Sequence, residues 1–78
     1  MAYAQISAEN IGARISGLRI LSGETMEALA RSINVTQSAI TMYESGRRIP
    51  RDEIKIRIAD HFGVPVESIF FPQEQHDS

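Results

Sequence analysis

An all-α, compact domain of five short helices is what this chain predicts, and three observations carry the prediction. Apolar residues recur three and four apart rather than two, and the runs are separated by Ser22-Gly23, Gly46 and Gly63, residues that stop helices. Thr25 and Thr36 each stand directly before a helical pattern, where a threonine hydroxyl accepts a hydrogen bond from an amide of the first turn. Apolar residues make up 42% of the chain, enough for a small helical core, yet no run approaches the roughly 18 residues of a membrane span. The chain accordingly divides into an arm over residues 1–9, one domain over 10–71 and a polar acidic tail over 72–78.

Tyr3 and Ile6 in the arm are available to pack on the domain or on a neighbour, but no pattern assigns them a role. Ser7 or Asn10 caps the first helix, with Glu9 close to its positive end. Ile11, Ile15, Leu18 and Leu21 are read as its buried face, and Ser22-Gly23 ends it.

The second and third helices occupy residues 25–46 and are separated by a break of about four residues, the layout of a helix-turn-helix. Leu29, Ala30 and Ile33 share one face of the first; Ile40 and Tyr43 share one face of the second. These faces are expected to meet. Ala30 is small enough for a close crossing, and Asn34 falls in the turn, where asparagine tolerates a left-handed backbone. At about 100° per residue, Ala39, Ile40 and Tyr43 lie on one side of the later helix, with Gln37, Ser38, Thr41 and Ser45 on the other. A row of uncharged hydrogen-bonding side chains opposite an anchored apolar face suits insertion into the DNA major groove, where base edges present distinct donors and acceptors. Met42, at the edge of that row, is either a contact to a thymine methyl or an exposed apolar side chain. Tyr43 is either core or a base-stacking ring, and its spacing from Ile40 favours core.

Gly46 supplies the positive φ that ends the third helix, and Arg47-Arg48-Ile49-Pro50-Arg51 follows as a basic loop held extended by Pro50. Arg47, Arg48 and Arg51 are placed to grip phosphates beside the groove; the competing reading is a solvated turn. A fourth helix from Asp52 to Phe62 aligns Ile54, Ile58 and Phe62 with Ala59 beside them, and Gly63 ends it. Pro65 opens a brief fifth helix whose Val66, Ile69 and Phe70 close the core. Phe71 is one apolar residue more than a small core needs, and is read as a contact in a two-fold dimer.

Net charge is −2, an unpromising balance for a nucleic-acid binder because cationic side chains supply most nonspecific affinity. Its distribution is more favourable. The tail holds Glu74 and Asp77 and no base, leaving residues 1–72 balanced at eight against eight, with three of those bases at Arg47, Arg48 and Arg51. No cysteine is present, which excludes disulfides and thiolate metal sites and suits a reducing cytoplasm. Met-Ala-Tyr-Ala-Gln at the start lacks the basic and apolar segments of a secretion signal. His61 and His76 show no metal-ligand spacing and read as solvated; no nucleophile-base set or phosphate-cradling glycine loop is found. No enzyme activity, cofactor, small-molecule ligand or membrane partner is therefore expected.

From Ile11 to Phe70 the chain resembles the phage-repressor and Cro-like (XRE) helix-turn-helix regulators. The resemblance rests on Ile11-Gly12-Ala13-Arg14-Ile15, Leu18-Arg19, Leu29-Ala30, Val35-Thr36, Ile40-Thr41-Met42-Tyr43-Glu44-Ser45-Gly46, Arg48-Ile49-Pro50 and Phe62-Gly63-Val64. It implies a five-helix lambda-repressor-like domain and a link from Arg19 to Glu44, where two separately solvated charges were otherwise the simpler reading. It also implies a transcriptional repressor that binds double-stranded DNA as a homodimer on a two-fold operator. Base edges then face Gln37, Ser38, Thr41 and Met42, with a two-pronged contact from Gln37 to adenine as the leading one. Phosphates face Arg47, Arg48, Arg51 and the helix starts at Met26 and Thr36. Two departures weaken the match. Met26 replaces a glutamine that touches a phosphate and braces the first residue of the reading helix, and Glu24 replaces a leucine. With the acidic balance, the Met26 change supports a rival reading, a protein-interaction module such as an antitoxin-like or antirepressor partner.

Overall fold

The computed structural model describes residues 7–71, which form α1 (Ala8–Leu21), α2 (Met26–Ser32), α3 (Gln37–Glu44), α4 (Asp52–Phe62) and α5 (Val66–Phe70). Tyr3, Ile6, His76 and the acidic tail lie outside the described residues. Ser7 is the cap of α1, so Ala8 and Glu9, assigned to the arm from sequence, form its first turn.

Starts and stops are set locally. The side-chain oxygens of Ser7, Thr25 and Thr36 accept the amides of Asn10, Ala28 and Ala39 at 3.1, 3.0 and 3.0 Å, satisfying donors that a helix start leaves open. The first four helices share one ending. Residues at positive φ, Gly23, Asn34 (60°), Gly46 and Gly63, reverse the chain. The next amide then returns to the last turn: Glu24 to Arg19, Val35 to Ala30, Arg47 to Met42 and Val64 to Ala59. A φ of 60° explains why asparagine can replace glycine in the turn between α2 and α3.

α3 is the centre of the packing, with α1 and α2 against it, while α5 bridges α4 and α1. Ile15, Leu29, Ile40, Ile58, Ile69 and Phe70 are fully enclosed, and Leu18, Met26, Val35, Ala39, Phe62, Val64 and Val66 pack around them. Tyr43 is also buried, which excludes the stacking alternative for its ring. No helix among the described residues is long and apolar enough to cross a membrane.

Two expectations are corrected. Leu21 is 85% exposed rather than part of the buried face of α1. Ten residues at about 100° each carry it roughly 80° off the direction of Ile11, whereas Leu18 drifts only about 20°. His61 is not a solvated side chain. Its Nε2 sits 2.8 and 2.9 Å from the two Glu24 carboxylate oxygens, and its ring meets Phe62 edge-on, so the connection between α1 and α2 is fastened to the end of α4. Glu24 thus takes a polar partner where the resembled family has leucine, and Met26 supplies apolar contact to the core.

Candidate nucleic-acid interface

The short turn after Asn34 delivers the chain to Thr36, whose cap fixes where α3 begins and therefore which side chains face outward. Ile40 and Tyr43 point into the core with Ala30 opposite them also buried. Gln37, Ser38, Thr41 and Ser45 are exposed, and Met42 is half-buried at the edge of their row. This is the arrangement the spacing predicts. Among the groups on α3 only Glu44 is charged, and it is held from below.

Arg19 holds it with a two-pronged contact. Nε donates to Glu44 Oε2 at 2.7 Å and Nη2 to Oε1 at 3.0 Å, while Nη1 donates to the Glu24 carbonyl at 2.9 Å. One guanidinium therefore ties α1 to the end of α3 and to the connection leading into α2. The hydrogen bond to Glu44 raises the Arg19 pKa, burial opposes it, and the charges of Glu44 and Glu24 add to the rise. With the carboxylate engaged in this way, the surface that α3 presents is neutral.

Met26 does not replace the missing glutamine. Its sulfur lies 3.6 Å from Thr41 Oγ1, so α2 touches the middle of α3 rather than its first residue. Thr41 Oγ1 is also 3.2 Å from the Gln37 carbonyl. Beside Gln37, Glu27, Ala30, Arg31 and Val35 line a shallow depression. Arg31 was missed from the sequence. It is 71% exposed and only loosely paired with Glu27 at 4.0 Å, adding a base on α2 next to the start of α3. Its place on the outer face of α2, one turn after Glu27, was the available signal.

Arg47 and Arg48 are exposed directly beyond α3, and both their amides return to the Met42 carbonyl at 3.0 and 3.3 Å, which fixes the loop to the helix. Arg51 is exposed too, beside Asp52 and Glu53 in the sequence, and Asp52 pairs with Lys55 at 3.6 Å. Phe71 is 48% exposed, with the Lys55 ammonium 4.9 Å from its ring centroid, a cation over an aromatic face.

The family described as helix-turn-helix matches residues 15–69. An uncharacterized HTH-type transcriptional regulator of Methanocaldococcus jannaschii is 34% identical over 56 residues, covering 72% of this chain and 85% of that one. The restriction-modification controller protein C.AhdI from Aeromonas hydrophila superposes with a TM-score of 0.76 at 22% identity, covering 81% of this chain and 96% of the other. The P22 c2 repressor, solved in complex with a synthetic operator, superposes with a TM-score of 0.78 at 18% identity, covering 90% and 100%. At these identities the two structural likenesses establish the fold, whereas the matched family and the relative at 34% establish kinship. The chain belongs to the XRE-type, Cro-like helix-turn-helix family of transcriptional regulators.

Proposed function

We propose that this chain is a sequence-specific repressor that binds double-stranded DNA as a homodimer, with α3 in the major groove of each half of a two-fold operator. The observation that carries this reading is the face of α3: its apolar side is locked by Ile40 and Tyr43, and exposed Gln37, Ser38 and Thr41 stand opposite. Gln37, Ser38, Thr41 and Met42 contact base edges. Arg47, Arg48 and Arg51, with the starts of α2 and α3 at Met26 and Thr36, contact phosphates. The P22 c2 repressor, of like fold, was solved on an operator, which supports the mode. Half-sites are then spaced by about 10 to 10.5 base pairs or a multiple.

Gln37→Ala is expected to cost about 1 to 3 kcal/mol on the preferred duplex and to relax discrimination at one position. Arg48→Ala is expected to weaken binding to every sequence and to lower the salt slope by about one unit. Titration of both variants against specific and random duplexes at several salt concentrations checks this. Binding that ignores salt and both substitutions would favour the protein-interaction reading instead.

Phe71 is proposed as part of the dimer contact, supported by its exposed ring at the end of α5. Light scattering of Phe71→Ser is expected to show a weaker dimer. An unchanged oligomeric state would remove Phe71 from the interface.

A further inference from the structure

We infer that the acidic tail after α5 docks on the flank of α1 that faces away from α3, where the Glu74 carboxylate pairs with a buried guanidinium nitrogen of Arg14. The inference is independent of the DNA-binding reading and concerns a surface outside that site.

Arg14 carries the argument. Its Nη1 is shut off from water and has no hydrogen-bond partner, the one buried side-chain nitrogen or oxygen among the described residues left in that state. A guanidinium keeps its charge at any ordinary pH, so the cost of the orphaned donor is not relieved by loss of a proton. It calls for an anion. Helix geometry gives the side. Gly12 and Arg19 mark the face of α1 turned to α3, the first against the backbone of Tyr43 and Glu44, the second on the Glu44 carboxylate. At about 100° per residue, Arg14 lies about 160° round from Gly12 and about 140° from Arg19, on the opposite flank. Besides α3, α5 is the helix chiefly packed on α1.

Most carboxylates of the described residues are engaged or face elsewhere. Glu44, Glu24, Glu27 and Asp52 pair with Arg19, His61, Arg31 and Lys55, and Glu9 lies against Gly46 on the α3 side. Glu53 and Asp60 belong to α4, while Glu67 is exposed in the first turn of α5, the end at which a helix favours an acid. The tail differs. Phe71 leaves the helical region at φ −138° and ψ 62° ahead of Pro72, and residues 72–78 hold Glu74 and Asp77 with neither lysine nor arginine. Three residues of extended chain reach about 10 Å, so Glu74 is the first carboxylate past α5 that the chain can return to α1. Docked there, the tail keeps its charge on the side away from α3, clear of Arg47 and Arg48.

Thermal melts and amide relaxation of the whole chain test this. Glu74→Gln is expected to melt about 4 to 8 °C lower than the parent, the loss of one hydrogen bond to a charged group. Added to Arg14→Met, the same change is expected to have no effect. Nuclear magnetic relaxation reads the contact without reference to stability: the residue 74 amide is expected to tumble with the domain in the parent, and to gain fast motion in Glu74→Gln and in Arg14→Met. An equal melting shift with or without Arg14 overturns the inference, as does fast motion of that amide in the parent. Coupling of Arg14 to Glu67→Gln or Asp77→Asn in place of Glu74→Gln overturns it too.

Discussion

Arg19→Ala is expected to cost about 3 kcal/mol of folding stability, a large part of the roughly 3 to 5 kcal/mol that a single core of this size supplies. The size follows from what is left behind. Glu44 is only 5% exposed and Arg19 15%, so truncating the arginine strands a carboxylate away from water and also removes the partner of the Glu24 carbonyl. The cost is set at the low end for a broken buried pair because Arg19 keeps some solvent. A base whose pKa rises on folding contributes stability that is complete below its unfolded value and lost as pH climbs through the folded one; for arginine that window lies in strong alkali. The contribution of Arg19 is therefore constant across ordinary pH. Urea denaturation measures the loss, and the double variant Arg19→Met/Glu44→Leu is expected to recover most of it, since apolar replacement of both partners strands no charge. A loss below about 1 kcal/mol for Arg19→Ala would instead rank the pair with solvent-exposed ones.

What could be read from the sequence was local. Caps at Ser7, Thr25 and Thr36 and reversals at Gly23, Asn34, Gly46 and Gly63 depend on a residue and its near neighbours, so a linear reading finds them. The outward row of α3 was equally legible, because one short helix with two strong anchors has only one way to face. Contacts between distant residues were not. Glu24 and His61 stand 37 positions apart, and Arg57 donates to the Ile33 carbonyl at 3.1 Å across 24; neither pair has a spacing that distinguishes it from two solvated groups. Arg19 and Glu44 would have been passed over in the same way, and only the family resemblance joined them. Within the candidate site, outward residues were found, but the approach of the Met26 sulfur to Thr41 Oγ1 at 3.6 Å was not, since it depends on how α2 packs beside α3.

Gly12 shows the same limit, and replacing it carries the second large expected effect. A Cβ built there meets the Tyr43 carbonyl oxygen at 2.5 Å, the Glu44 carbonyl oxygen at 2.6 Å and the Glu44 carbonyl carbon at 2.9 Å. All three are backbone atoms, so no side chain can swing aside; α1 and the end of α3 must separate. In a helix, alanine is favoured over glycine by about 1 kcal/mol. Gly17, on the same helix with nothing within 4 Å, isolates that gain. Gly17→Ala is expected to raise stability by about 0.5 to 1 kcal/mol, while Gly12→Ala is expected to lower it by about 2 kcal/mol after the same gain is subtracted. For a domain of this length, that loss corresponds to melting about 8 to 16 °C lower. The displacement would also draw Glu44 from Arg19, so Gly12→Ala combined with Arg19→Ala is expected to cost less than the two losses added together. Thermal melts of the three variants decide the matter: if Gly12→Ala melts as high as Gly17→Ala, the backbones of α1 and α3 do not meet at Gly12.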